Sequence, residues 1–198
     1  VELAQSLGLD APAMLRRAGL QPRSLADPET PISTQAVRRL LDDSAHASGA
    51  EDFGLRLAAR RSLSNLGPIS LVLKEEPSAR AALDTLCRYL RLLNASLLTQ
   101  LEEADGLLRI SEDMLAEPGT PLAQSMQLAV GVMHRILQEL MAERWRPLWV
   151  GLKQPAVREP ARAPVTLVAA IEIHGTAQRL ARFVGAQVFQ EQLDHQRR

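Results

Sequence analysis

The sequence predicts an α+β domain, rich in helix, whose helices pack on a small and mostly antiparallel sheet. Three observations carry that expectation. Apolar residues recur at helical spacing through most of the chain. Two adjacent stretches instead show partial period-two alternation around an Asp-Gly turn, the pattern of a hairpin. Aromatic residues make up only 3% of a chain that is 46% hydrophobic, so the core must be built from Leu, Val, Ile, Ala and Met, a composition that goes with helix packing. With 23% charged residues the chain is ordinary for a globular protein, and at 198 residues a single domain spanning 1–198 is the default reading.

The first helix is expected over 3–19, with a break at Asp10-Ala11-Pro12, where Asp10 suits an N-cap and Pro12 falls in the first turn. Leu9, Met14, Leu15 and Ala18 supply its apolar side, and Gly19 its stop. Pro22, Pro28 and Pro31 make 21–32 a loop. Ser33 or Thr34 caps a helix through Ala47, with Val37, Leu40 and Leu41 on one face and Ser48-Gly49 at its end. Residues 53–61 fit a short helix or a strand, and Leu66-Gly67-Pro68 opens a short apolar helix through Leu73. Pro77-Ser78 starts a stronger helix, with Ala82, Leu83, Leu86, Leu90 and Leu93 at helical spacing and Asn94 beyond its end. The hairpin arms are 96–103 and 107–113. Pro118-Gly119-Thr120-Pro121 starts the longest helix, running to about 146, with Met126, Ala129, Val130, Met133, Leu137, Leu140 and Met141 on its apolar face. A short strand is expected over 148–152, a loop over 154–164 and a β-branched strand over 165–173. The polar tail, 177–198, is expected to begin as a helix around 179–184.

The charge balance narrows the function classes. With 23 basic and 23 acidic residues the net charge is zero, and the lysines are Lys74 and Lys153 alone. A free-standing DNA-binding domain carries a basic face, because neutralising phosphates supplies much of its affinity. These residues are therefore not expected to grip nucleic acid by themselves. Cys87 is the single cysteine, so no intramolecular disulfide can form, which fits a reducing cytoplasm. Neither a signal peptide nor a membrane span is expected.

The sequence offers little for catalysis. It has no Gly-rich phosphate loop, no HExxH, no paired cysteines and no nucleophile elbow. His46, His134, His174 and His195 lack metal-ligand spacing. Cys87 reads as a packed, inert thiol rather than one activated by Arg88 and Arg91. Glu75-Glu76 and Glu102-Glu103 read as solvated carboxylates rather than an acid/base or metal site. The chain is not expected to be an enzyme, and no catalytic residue, metal or cofactor is assigned. Met126, Met133 and Met141 on the longest helix are more ambiguous: flexible Met side chains can line an adaptable pocket, although at helical spacing they more often fill a core. Beside Met133, His134 is the histidine best placed to read a ligand, while Arg135 and Glu139 make a surface pair one turn apart. Trp145 and Trp149 bracket Pro147 and are expected to anchor the helix end and the next strand.

The order and wording of segments from about Leu9 to Pro155 resemble a known family. The pieces are MLRRAGL at 14–20, PISTQAVRRLLDDSAHASG at 31–49, DFGLRLA at 52–58, LSNLGPISLVL at 63–73 and ARAALDTLCRYLRLLNASL at 79–97, followed by the hairpin, the long helix and ERWRPLWV at 143–150. Together they resemble the N-terminal, arabinose-binding-like (non-cupin) domain of AraC-type bacterial transcription regulators. Residues 156–182 depart from that pattern, although RFVGAQVFQEQLDH at 182–195 is similar to its closing segment. Family members continue into two helix-turn-helix units, and nothing here resembles those.

The resemblance implies a domain that binds a small effector, or dimerises, and so biases linked DNA-binding units; a ligand achieves this by binding one arrangement more tightly than the other. A homodimer is expected, with DNA contacted only through the missing C-terminal units. The pocket is expected between the sheet and the long helix, near Met126, Met133, His134 and Tyr89, with Tyr89 supplying a hydroxyl and Arg91 a charge for a carboxylate. The rival from another class is a dimerisation module with no small-molecule site.

Overall fold

Side-chain caps decide where the helices begin. In the computed structural model, which describes residues 1–21, 30–104, 107–142, 145, 147, 150, 152 and 169–172, the expected first helix is two: α1 (Glu2–Ser6) and α2 (Ala11–Arg17). The Asp10 carboxylate accepts the Ala13 N–H at 3.0 Å and starts the second helix afresh. Ser33 caps α3 (Thr34–Ser48) by accepting the Ala36 N–H at 3.4 Å, and Gly49, at φ 67°, ends it in the left-handed conformation. The ambiguous segment after it is helical, α4 (Phe53–Ala58), followed by a 3-10 turn (Leu63–Leu66) and α5 (Ile69–Glu75). Ser78 caps α6 (Ala79–Leu93) through the Ala81 N–H at 3.1 Å.

The hairpin follows as β1 (Leu97–Ala104) and β2 (Leu107–Met114), antiparallel and paired from Leu97↔Met114 to Ala104↔Leu107. A third strand, β3 (Ala169–Glu172), pairs antiparallel with the other edge of β2, giving the order β1-β2-β3. The fold is thus α+β and rich in helix, with β2 central in its sheet. The expected strand over 165–173 is seen in its described part. The loop residues 22–29, the Asp-Gly turn, most of the strand expected over 148–152 with Trp149, and the tail over 177–198 lie outside the described residues.

Helix α7 (Ala123–Met141) runs through the middle of the domain, packing on α3, α4, the 3-10 turn and the inner face of β2. It stops short of the expected 146. Ala142 turns to φ 49° and the chain folds back, so that the Trp145 N–H donates to the Ala142 carbonyl at 3.1 Å. The Trp145 ring is buried at the end of the main core, which joins Leu83 and Leu86 of α6, Leu108 and Ile110 of β2, and Met133, Ile136 and Leu137 of α7. A second cluster gathers Leu3, Leu41, Ala45, Ala50 and Phe53, and a third Leu15, Ala18, Leu20 and Ala36.

Where α4 crosses α7 the backbones touch. A Cβ on Gly54 would collide with the Gln124 carbonyl oxygen, and one on Gly131 would sit 2.5 Å from the Ala58 Cβ. The same crossing is stitched by amides: Gln124 accepts the Gly54 N–H at 2.8 Å, and Gln124 and Gln127 each donate to the Glu51 carbonyl at 2.9 Å.

Candidate functional site

Strand alternation puts every second residue of the hairpin against the helices. On β2 this inner row is Leu108, Ile110 and Glu112, all at most 1% exposed. Glu112 is therefore an acid on an otherwise apolar face. Neither of its carboxylate oxygens has a hydrogen-bond partner among the described residues. Burial pushes its pKa up to about 7, because removing a carboxylate from water penalises the charged form. Directly across the hairpin lies Thr99, 6% exposed, with its hydroxyl also unpartnered among the described residues. Buried polar groups are nearly always satisfied in folded proteins, so a carboxylate and a hydroxyl left open side by side require an explanation.

Glu112 opens into a cavity of about 190 Å³. The α3 wall carries Thr34, Val37, Arg38 and Leu41, one face of a helix at spacings of three and four. The α7 wall is a second such stripe, from Ser125 through Leu128, Ala129 and Val132 to Met133 and Ile136. Leu90 and Asn94 at the end of α6, Leu97 of β1 and Met114 of β2 close the rest. The lining is mostly apolar, with Arg38 and Glu112 as its charged members.

Arg38 is 6% exposed and ties α3 to the end of the hairpin, its Nη2 donating to the Leu115 carbonyl at 2.6 Å. Its Nε–H has no partner among the described residues. Burial lowers its pKa from the ordinary value. The cavity thus holds two groups of opposite character that do not satisfy each other, which is how a site for a polar-headed ligand is built.

A larger cavity, of about 450 Å³, lies at the other end of the domain between α5, α6 and α7. Its acids and its arginine are already engaged. Glu76 accepts the Thr85 hydroxyl at 2.6 Å, Glu139 accepts the Leu63 N–H at 2.9 Å, and Arg80 pairs with Asp84 and Glu103 at 3.1 and 2.8 Å. Unmet hydrogen-bonding demand, rather than volume, singles out the smaller cavity.

Of the residues singled out in the sequence, Met133 lines this cavity. Met126 is buried at 1% exposure but is not part of its wall. Tyr89 is partly exposed and Arg91 exposed, on α6 and outside the lining. His134 faces the end of α7, where its Nδ1 accepts the Trp145 indole N–H at 2.9 Å. Burial, and then the neighbouring Arg135, lower its pKa. Cys87 is buried, its thiol pushed up to about 11 by burial first and by Glu112 and Asp84 next, so it is no ready nucleophile. Arg38, Thr99 and Glu112 escaped the sequence reading. The available signal was the period-two row Leu108, Ile110, Glu112, which puts an acid on the core face. Among the described residues no group of three or more His, Cys, Asp or Glu could hold a metal ion, and no helix is long and apolar enough to cross a membrane.

Likeness to known proteins supplies the context for this cavity. The chain is 28% identical over 142 residues to the HTH-type transcriptional regulator VirS of Mycobacterium tuberculosis, in both strain CDC 1551 / Oshkosh and strain ATCC 25618 / H37Rv. That alignment covers 70% of this chain and 42% of VirS, so the chain spans less than half the length of these relatives. The family described as the arabinose-binding domain of AraC transcription regulators, N-terminal, matches residues 8–181, which takes in every described element from α2 to β3. The chain therefore belongs to the N-terminal arabinose-binding domain family of AraC-type transcription regulators.

Proposed function

We propose that this regulatory domain senses a small effector in the cavity between α3, α7 and the inner face of the hairpin, and that occupancy biases a dimer of the complete regulator between two DNA-binding arrangements. The observation that carries the reading is Glu112, fully buried, unpartnered among the described residues and part of a cavity wall. A carboxylate in that state is costly unless something else completes it. Its neighbours suit a switch, since the cavity is walled by three separate elements: α3, α7 and the hairpin. Arg38 already couples two of them through the Leu115 carbonyl. A ligand that draws α3 toward β2 would stabilise one arrangement by its differential contacts. DNA would be contacted by helix-turn-helix units of the kind found in AraC-type regulators, and the work would then take place in the bacterial cytoplasm. No catalytic step is assigned to the domain.

A dimerisation-only module is the second reading, favoured by exposed apolar side chains at Leu92 (82% exposed), Leu93 (54%) and Leu115 (58%). Native mass spectrometry of the purified domain separates the two. A reproducible small adduct, released on denaturation and lost in Met133→Trp, supports effector sensing. A bare dimer that gains no thermal stability across a metabolite panel supports the interaction-only module and sinks the first reading.

A further inference from the structure

The walls of the cavity narrow the chemical class of its ligand. Arg38 enters from α3 and Glu112 from β2, of opposite charge when ionised, and neither Arg38 Nε–H nor the Glu112 oxygens have a partner among the described residues. A void of about 150 Å³ holds one benzene ring, so 190 Å³ accommodates a molecule of valine to leucine size. Both groups belong to the wall of this one cavity. Thr99 stands opposite Glu112 in the hairpin but is not part of the cavity wall, so Glu112 is its acidic member. The two open carboxylate oxygens of Glu112 are acceptors for an ammonium, whose N–H groups can only donate. The Arg38 Nε–H is the donor for a carboxylate. Val37, Leu41 and Leu128 offer aliphatic surface beside them.

We propose that the cavity binds an aliphatic α-amino acid, its ammonium on Glu112, its carboxylate on Arg38 and its side chain against Val37, Leu41 and Leu128. This rests on the effector-site reading above. The alternatives each leave a charge unmet. A fatty acid satisfies Arg38 but sets its carboxylate against Glu112 unless that acid is protonated. An amine satisfies Glu112 but meets the Arg38 cation. A zwitterion completes both and adds no net charge to a buried site, where uncompensated charge is costly.

The ionisable groups around Glu112 are Arg38 on α3 and Cys87 on α6, and α7 contributes none to the cavity wall. The Cys87 thiol, held near 11, stays protonated, so Glu112 is the group that titrates near neutrality. Ammonium binding needs the ionised acid, so affinity for the zwitterion rises as the pH rises through about 7.

Isothermal titration of the 198-residue chain with L-leucine, isoamylamine and isocaproate on both sides of neutral pH tests this. Leucine is expected to bind more tightly at the higher pH, and the two analogues to bind more weakly than leucine by about tenfold or more. Glu112→Gln should weaken leucine by a similar factor and flatten its pH dependence. Arg38→Gln should weaken leucine and, by removing the cation that the amine meets, tighten isoamylamine. Isocaproate binding more tightly than leucine, best at the lower pH and blocked by Met133→Trp, overturns the zwitterion and keeps the cavity as an effector site. Failure of leucine, valine and both analogues to bind a domain whose circular dichroism is native also overturns it. If a broader metabolite panel then yields no ligand sensitive to Met133→Trp, the effector reading falls as well.

Discussion

On the side of α7 that faces α4, backbone meets backbone, two glycines leave no room for a Cβ, and the Gln124 and Gln127 amides hold the Glu51 carbonyl. On the side that faces α3 and the hairpin, the same helix leaves a cavity of about 190 Å³ with an acid that nothing described completes. One helix thus carries a sealed contact and an open one less than a turn apart around its axis. Close packing with satisfied amides resists rearrangement. A cavity with open polar groups is where a small molecule can change the balance. The contrast teaches that α7 and α4 form the fixed frame of the domain, against which α3 and the hairpin are the adjustable part.

The largest expected effect breaks the sealed side. In Gly54→Val the new side chain must displace the Gln124 backbone, which cannot rotate away as a flexible side chain could. Overpacking of this kind costs about 1–3 kcal/mol and occasionally more, and here about 4 kcal/mol is expected, measured by urea denaturation. A loss under about 1 kcal/mol would mean that the α4–α7 crossing is loose and the frame is elsewhere.

Next in size is the pH response of the open side. The folded-state pKa of Glu112 is raised, from an ordinary 4.5 to about 7. Between those values the folded protein holds a proton that the unfolded chain has released. The stabilisation is complete below 4.5 and is lost as the pH rises through 7. At about 1.4 kcal/mol per pH unit the loss is about 3 kcal/mol for a group this buried. Glu112→Leu removes the titration and should be more stable than the parent at pH 8, by a margin that shrinks toward pH 4.5. Parallel stability curves for the two proteins across that range would show that the acid is solvated or partnered after all. Smaller again, Met133→Ala widens the cavity wall and should cost about 2 kcal/mol, the low end for truncating a buried Met, and less if the void fills with ligand or water. Thermal melts with and without a bound effector would distinguish those cases.

The two sides of α7 were unequally legible in the sequence. Local chemistry could be read directly: Asp10, Ser33 and Ser78 announce their helices, and the Asp-Gly turn with alternating arms announces the hairpin. The break between α1 and α2 was marked by the same Asp10, but the end of α7 was not, because Ala142 adopts φ 49° with no glycine to signal it. The site was harder. Tyr89, Arg91 and His134 drew attention as polar residues beside apolar ones, a criterion blind to which way a helix turns. Arg38 and Glu112 belong to elements brought together only by the packing of α3 and β2 on α7, and nothing in the spacing between them encodes that meeting. Met133 lines the cavity, as a methionine in the middle of the longest apolar stripe has to face something. The glycines of the α4–α7 crossing were silent for the opposite reason, since the absence of a side chain carries no pattern.

The smallest effect concerns the end of α7, where a side-chain hydrogen bond joins Trp145 to His134. An indole N–H can only donate, so His134 must accept through an unprotonated Nδ1, which makes its ring neutral with the hydrogen on Nε2. Protonation would set two N–H groups against each other, in keeping with a pKa lowered first by burial and then by Arg135. For a base with a depressed folded-state pKa, the contribution to stability is present above the ordinary 6.5 and is lost as the pH falls below it. Trp145→Phe keeps most of the buried ring but removes the donor, and should cost about 1 kcal/mol at pH 8. The difference between the two proteins should narrow as the pH falls below the ordinary 6.5 and protonation breaks the bond in the parent. An NMR titration of His134 reads the same contact from the other partner, and its pKa should move up in the Trp145→Phe protein. If instead the histidine titrates identically in both, the indole is held by packing alone, and α7 ends where it does because Ala142 turns the chain rather than because Trp145 holds it there.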